Sequence, residues 1–92
     1  MAASARAAIR VVAFSPDSQL AASGGRGGDV KVWSVGTGEL LRSLPAHSRG
    51  WFPGVLALGF SPDGHWLLSG SSDHTLKLWE VPAGVLARTF IK

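Results

Sequence analysis

Cysteine is absent from this chain of 92 residues, and so are long apolar runs and clusters of like charge. Without cysteine, the chain can form neither a disulfide framework nor a thiolate metal site. No apolar run approaches the roughly 18 residues that a membrane-spanning helix requires, so no membrane contact is expected. Because the chain has only 92 residues, it holds at most one small domain, and no disulfide can stabilise it. Oligomerisation is then the remaining way to enlarge its core.

The basic residues outnumber the acidic ones but are scattered along the chain. Nine Lys and Arg residues face six acidic residues, which gives a net charge of +3, and no three basic residues cluster. A nucleic-acid-binding face needs a basic patch or stripe, so nucleic acid is not an expected partner. Residues 1–8 are rich in alanine but lack the apolar core of a secretory signal peptide. We treat them as an N-terminal extension and expect a cytoplasmic or nuclear location.

Most of the chain consists of one sequence pattern that occurs twice. The run Phe-Ser-Pro-Asp at residues 14–17 recurs at residues 60–63, an offset of 46 residues. At this offset, residues 11–44 align with residues 57–90 without a gap, and twelve of the 34 positions are identical. A fixed period of this size indicates a repeat architecture, and propeller blades have periods in this range.

Each repeat divides into four short apolar runs that are separated by turn residues. Runs of this length, rich in β-branched and aromatic residues and bounded by Gly, Pro, Asp and Ser, predict strands rather than helices. In the third run of each repeat, both alternating sets are largely apolar, so we expect that strand to have neighbours on both sides. The sequence predicts an all-β fold of two four-stranded antiparallel units. Its strands are expected at residues 9–14, 20–23, 30–35, 40–44, 55–60, 66–69, 75–81 and 85–90.

The repeats resemble the WD-repeat β-propeller family, whose blades carry a Gly-His pair, a Phe-Ser-Pro-Asp-Gly turn, a Ser-Gly step and a closing Trp-Asp. The resemblance covers residues 9–90 and implies a first blade at residues 9–46 and a second at residues 47–92. Propellers need about 4–8 blades, so two blades leave two apolar faces open. The chain is therefore expected to be a partial propeller or a protomer of a homo-oligomeric ring of three or four copies. Copies of itself, or a longer parent chain, would supply the further blades.

The resemblance also implies a hydrogen-bonded tetrad of His, Ser, Asp and Trp that stabilises a blade. The first repeat keeps only Ser23 and Trp33, because Ala5 and Gly27 stand where the His and the Asp would be. This difference predicts that the first blade is the looser one. The second repeat has all four residues at matching positions: His47, Ser69, Asp73 and Trp79.

Three residues of that tetrad, Ser69, His47 and Asp73, also have the composition of a catalytic triad. A triad requires an exposed Ser on an activating turn, whereas Ser69 lies inside an apolar run. We therefore interpret the set as structural and expect no enzyme activity. The histidines stand in separate turns without the spacing of metal ligands, so neither a metal nor another cofactor is expected.

The connection between the two repeats, an inserted loop at residues 48–54, is longer than the family usually has. Binding residues concentrate on such loops, and Arg and Trp are common in interface hot spots. The aromatic residues of this loop could equally fold back onto the blades. The leading interpretation is a non-catalytic scaffold for a protein partner, and the alternative is an architectural piece that only completes a ring. The candidate partner contacts are Arg26, Arg49, Trp51, Phe52 and His74.

Overall fold

Eight strands make up the fold in the computed structural model, which describes residues 8–47 and 54–91. These are β1 (Ile9–Phe14), β2 (Leu20–Gly25), β3 (Val30–Ser34), β4 (Leu40–Leu44), β5 (Val55–Phe60), β6 (Trp66–Ser71), β7 (Thr75–Glu80) and β8 (Val85–Ile91). They form two antiparallel sheets with strand orders β1-β2-β3-β4 and β5-β6-β7-β8. The predicted all-β class with two four-stranded units is confirmed, and the two sheets do not close a ring. Within the described ranges, no helix has the length and apolarity to cross a membrane.

The repeated Ser-Pro-Asp sequence forms the same turn at the first hairpin of each sheet. Ser15 Oγ donates a hydrogen bond to Asp17 Oδ1 at 2.6 Å, and Gln19 N donates to the same oxygen at 3.0 Å. These bonds, the one from Ser15 foremost, hold the pKa of Asp17 below its usual range. In the second repeat, Asp63 Oδ1 accepts from Ser61 Oγ at 2.6 Å and from His65 N at 3.0 Å. The turn ends on a positive φ, which is 63° at Ser18 and 76° at Gly64.

Each sheet has two sides, because successive side chains of a strand point to opposite faces. We call one side the Trp side, since it carries the tryptophan of the third strand, Trp33 in the first sheet and Trp79 in the second. The other is the aliphatic side, which carries Val32 in the first sheet and Leu78 in the second. The β3 and β7 strands thus have an apolar residue set on each side, as their sequences indicate.

The core lies between the sheets, where the aliphatic side of the first meets the Trp side of the second. We call this interface the joint. Val55 packs over Gly24 so closely that a Cβ on Gly24 would lie 2.8 Å from Val55 Cγ1. At the outer edge, Arg42 Nε donates a hydrogen bond to the carbonyl oxygen of Ala83 at 3.1 Å. The buried hydrophobic residues of the joint are Ala22, Val30, Val32, Leu44, Ala46, Val55, Leu67, Trp79 and Val81.

The remaining two sides lie open, so each third strand has a packing neighbour on one side only. On the Trp side of the first sheet, Phe14 is 65% exposed. On the aliphatic side of the second sheet, Phe90 is 43% exposed. At the offset of 46 residues, Phe14 aligns with Phe60 and Phe90 aligns with Leu44. Both counterparts are more buried, because they pack in the joint.

Candidate functional site

A buried cluster of polar side chains surrounds His47 at the edge of the second sheet. His47 Nε2 lies 2.9 Å from Ser69 Oγ in the middle of β6. On the other side of the ring, Nδ1 lies 2.9 Å from Thr75 Oγ1 and 3.3 Å from Asp73 Oδ2. His47, Ser69 and Asp73, which the sequence singles out, are thus brought together. Thr75 joins them.

The hydrogen-bond donors of this cluster define the protonation of the histidine ring. Thr75 Oγ1 donates its only hydrogen to Asp73 Oδ1 at 2.6 Å, so it can only accept from the imidazole. His47 Nδ1 therefore carries a hydrogen, which it donates towards Thr75 and Asp73. In the neutral ring, Nε2 is then an acceptor, and the Ser69 hydroxyl donates to it.

Burial keeps this histidine neutral. His47 is 6% exposed, and removal of the ring from water lowers its pKa below the usual value of 6.5. The neighbouring carboxylate of Asp73 acts in the opposite direction but with a smaller effect. A neutral imidazole that bridges β6 and the β6–β7 hairpin satisfies buried polar groups and fixes the hairpin against the sheet.

The tryptophans of the two third strands, Trp33 and Trp79, differ in their hydrogen bonding. Trp33 Nε1 donates to Ser23 Oγ at 3.0 Å in the first sheet. Trp79 Nε1 is buried and has no hydrogen-bond partner among the described residues. Ser69, the residue that aligns with Ser23, instead donates its hydroxyl hydrogen to His47 Nε2, and its oxygen lies 3.4 Å from the carbonyl oxygen of Lys77. The first blade therefore keeps the Trp–Ser bond that the second lacks, although it has fewer tetrad residues.

Thr75 is the cluster member that sequence reasoning missed. Its signal is the spacing Asp-x-Thr, in which an Asp carboxylate accepts from the backbone N–H two residues later. Here Asp73 Oδ1 accepts from Thr75 N at 3.0 Å. In a sequence, however, a Thr before apolar residues is typical of the start of a strand, and Thr75 does begin β7.

The cluster holds no accessible nucleophile. Ser69 has a relative exposure of 0% and lies inside β6. Its hydroxyl donates to His47, but no substrate can reach an oxygen that is closed off on every side. Within residues 8–47 and 54–91, no three His, Cys, Asp or Glu side chains converge in a way that could hold a metal ion.

Two of the candidate partner contacts, Arg26 and His74, lie at one rim of the sheets, which we call the loop rim. It comprises the β2–β3 hairpin, the β6–β7 hairpin and the two ends of the β4–β5 connection. Arg26 and His74 are exposed at the two hairpins. His47 N donates to the carbonyl oxygen of Gly28 at 2.9 Å, which places the start of the connection at the same rim.

Three further candidates, Arg49, Trp51 and Phe52, lie outside the described residues. Their segment ends at Gly54, whose carbonyl oxygen accepts from Ser72 N at 3.0 Å. The segment therefore begins and ends at the loop rim.

The family model of the WD domain, G-beta repeat, matches residues 3–34 and 38–80 of this chain. The match covers most of the chain and includes both Phe-Ser-Pro-Asp turns and the tryptophan of each third strand, Trp33 and Trp79. The chain therefore belongs to the WD-repeat family, whose members generally act as scaffolds for protein interaction. No curated protein matches the chain.

Solved WD-repeat structures are similar to this chain over nearly all of its length. The WD40 repeats of RRP9 superpose with a TM-score of 0.85 at 26% identity, covering 95% of this chain and 27% of that one. The β-propeller domain of Cps50 (Swd1) from Myceliophteria thermophila gives 0.83 at 27% identity, covering 91% and 24%. U3-55K gives 0.82 at 26% identity, covering 95% and 27%. The chain thus spans about a quarter of the length of these propeller structures.

Proposed function

We propose that this chain is a non-catalytic interaction module that presents the loop rim to a partner protein. The observation that supports the proposal is the convergence of Arg26, His74 and both ends of the β4–β5 connection at one rim. Loops held by a rigid sheet are the usual place for binding residues. The buried cluster around His47 supplies that rigidity, because it links the start of the connection to β6 and to the β6–β7 hairpin.

The residue types of the β2–β3 hairpin and of the β4–β5 connection suit recognition of a protein surface. Arg and Trp are over-represented among the residues that dominate binding energy. Arg26, Arg49 and Trp51 belong to these types, and the β4–β5 connection is longer than in related blades. An acidic or amphipathic surface with a pocket for an aromatic ring is the kind of partner that this set fits.

The experiment compares capture of a partner by the intact chain and by an Arg49→Ala, Trp51→Ala double variant. The double variant is expected to keep its melting temperature and to lose at least tenfold of the captured partner, measured by quantitative mass spectrometry. The control is Thr37→Ala, an exposed change in the β3–β4 turn at the opposite rim. Equal capture by the double variant, or a loss that only follows a lower melting temperature, contradicts the proposal.

A second candidate function is architectural. In it, the chain supplies two blades to a larger ring and binds no partner at the rim. The open Trp side of the first sheet and the open aliphatic side of the second favour this role, because stacked blades cover such surfaces. The same double variant separates the two functions, since an architectural piece does not depend on Arg49 or Trp51.

A further inference from the structure

The two open sides of this chain correspond, residue by residue, to the two sides that form the joint. At the offset of 46 residues, the open aliphatic side of the second sheet aligns with the buried aliphatic side of the first. Leu76, which is 44% exposed, aligns with Val30, which is fully buried. Phe90, at 43%, aligns with Leu44, at 3%. The second sheet thus exposes the kind of surface that the first buries.

The same relation holds on the open Trp side of the first sheet. Ile9 is 60% exposed, whereas its counterpart Val55 is fully buried over Gly24. The side chain of Phe14 is 65% exposed, and its counterpart Phe60 packs against the core. One molecule therefore carries both halves of a second joint, one at each end.

A groove lies on the aliphatic side of the second sheet, at the position equivalent to the place where the start of β5 packs in the joint. Its volume is about 450 Å³, and Leu76, Phe90 and Ile91 form its apolar wall near His74. Gly70, at its edge, aligns with Gly24, the residue over which Val55 packs in the joint. In the open groove, Leu76 Cδ2 lies 2.9 Å from where a Cβ of Gly70 would be, so Leu76 occupies the space that Val55 takes over Gly24.

We propose that the open sides form a head-to-tail joint between copies of this chain, in which Ile9 of a second copy fills the groove between Leu76 and Phe90. This inference rests on the architectural candidate function and names the occupant of the open surface. Leu76 turns aside when the isoleucine enters, because both side chains need the space above Gly70.

The edge of the existing joint predicts a polar contact for the new one. Arg42 Nε donates to the carbonyl oxygen of Ala83. The Arg42 side chain also packs on Gly84, where an added Cβ would lie 3.1 Å from Arg42 Cδ. Arg88 aligns with Arg42 and is exposed, and its side chain forms no hydrogen bond within the described part of the chain. In the new joint, it donates to the carbonyl oxygen of Thr37 of the second copy, which aligns with Ala83.

Gly38, the residue after Thr37, supports the same position for the Arg88 side chain. Gly38 aligns with Gly84, and a Cβ at Gly38 would meet nothing within 4 Å. The surface that receives Arg42 in the existing joint is thus present and uncovered at the equivalent position. A side chain such as Arg88 of a neighbouring copy can approach it as Arg42 approaches Gly84.

This joint is heterologous, because the two copies contribute different surfaces. Heterologous contacts close into rings when the rotation between copies allows it and otherwise extend into filaments. Each copy adds two blades, so three or four copies give about six or eight, within the usual range for propellers.

The experiment uses two variants that each block one end. Phe90→Glu places a charge on the aliphatic side of the second sheet, and Phe14→Glu places one on the Trp side of the first. Light scattering after size exclusion at tens of micromolar is expected to give a multiple of the chain mass for the unmodified protein. Each variant alone is expected to give the mass of one chain.

Mixing the two variants is the decisive measurement. Each retains one intact end, so an equimolar mixture is expected to form a species of twice the chain mass, and no larger one. Gln19→Glu, an exposed change of the same charge in the β1–β2 turn, is the control and is expected to assemble like the unmodified chain. Circular dichroism establishes that each variant keeps its sheets, and Leu76→Glu replaces Phe90→Glu if that variant unfolds.

Three results overturn the proposal: a single-chain mass for the unmodified protein, unchanged assembly of both blocked variants, or no two-chain species from a mixture of folded variants. A single-chain mass also indicates that blades of a longer chain cover these sides. None of these variants alters Arg49 or Trp51. Failure of the joint is therefore distinguishable from failure of the rim to bind a partner.

Discussion

At the scale of single residues, His47 is the side chain on which the polar contacts of the second blade converge. It connects Ser69 in the middle of β6 with Asp73 and Thr75 in the following hairpin, over distances of 2.9–3.3 Å. Buried hydrogen bonds of this kind contribute modestly when formed, but a buried group left without its partner is costly. The cluster therefore makes the second blade sensitive to the loss of any one member.

Replacement of Asp73 by alanine tests this sensitivity. Asp73→Ala is expected to lower the free energy of unfolding by about 1–3 kcal/mol, because Thr75 and His47 each lose a buried partner. The control is Asp29→Ala in the equivalent hairpin of the first blade. The Asp29 carboxylate is exposed and lies 3.9 Å from Lys31 Nζ, so its loss should cost at most about 0.5 kcal/mol. If urea unfolding shows the same loss of free energy for Asp73→Ala and Asp29→Ala, the cluster does not have this stabilising role.

The depressed pKa of His47 predicts a dependence of stability on pH. The unfolded chain takes up a proton near pH 6.5, whereas burial delays protonation of the folded chain to lower pH. The free energy of unfolding is therefore highest above pH 6.5 and falls as the pH drops towards the folded pKa. The slope cannot exceed about 1.4 kcal/mol per pH unit for one group.

His47→Gln is the variant that isolates this effect. Urea unfolding between pH 5 and pH 7 should show a clear slope for the unmodified chain and a much smaller one for the variant. The carboxylates of Asp17 and Asp63 do not interfere, because their pKa values are lowered below 3.8 by bonds from Ser15 and Ser61, and their contributions are lost only at lower pH. His65→Gln, in an exposed turn, serves as the control. An unchanged slope in His47→Gln would show that His47 is not the titrating group.

At the scale of elements, the two Ser-Pro-Asp turns form an internal control within one chain. Their hydrogen bonds have the same lengths, but one ends on Ser18 and the other on Gly64, both at positive φ. A residue with a Cβ is strained in this region by about 1–2 kcal/mol, and glycine is not. The first turn therefore carries backbone strain that the second avoids.

Exchange of these two residues measures that strain. Ser18→Gly is expected to raise the free energy of unfolding by about 0.5 kcal/mol, because the greater freedom of glycine in the unfolded chain offsets part of the relief. Gly64→Ser should lower it by about 1 kcal/mol. A Cβ at Gly64 would lie 3.8 Å from Pro16 Cδ, an ordinary contact, so the loss reports the backbone alone. Changes in melting temperature of the same sign for both variants would contradict this account.

Turn residues explain why the strands could be predicted from the sequence. The Ser-Pro-Asp turns and the glycines of the β3–β4 and β7–β8 turns set those hairpins, and β1, β4 and β5 have the bounds expected. The expectation failed by two residues at the end of β2, where Gly24 and Gly25 resemble a loop. They extend the strand because Gly25 pairs with Ile9 and Gly24 is shaped to receive Val55, and neither contact is visible locally.

The polar cluster could be predicted only in part, for a different reason. The resemblance located His47, Ser69 and Asp73 because their spacings are characteristic of the family. It did not reveal that Trp79 Nε1 lacks a partner. That outcome depends on where the indole of Trp79 lies relative to the acceptors around it, which only three-dimensional geometry decides.

At the scale of the whole molecule, stability is expected to depend on protein concentration. Association of folded chains through the open sides stabilises the folded state by mass action. The melting temperature of the unmodified chain should therefore rise as its concentration increases a hundredfold, while that of Phe90→Glu should stay constant. Differential scanning fluorimetry across this range measures both. A constant melting temperature for the unmodified chain would count against association of the folded state.

The order of the strands has a consequence for how the chain reaches its fold. Every strand pairs with its neighbour in sequence, so each sheet can form by closing short loops. Folding rates fall as contacts become more distant in sequence, and single hairpins form in about 1–10 μs. The joint brings together residues that are more distant in sequence, such as Gly24 and Val55. The docking of two preformed meanders is therefore the step that sets the folding rate, and changes at Gly24 should slow folding more than changes within either meander.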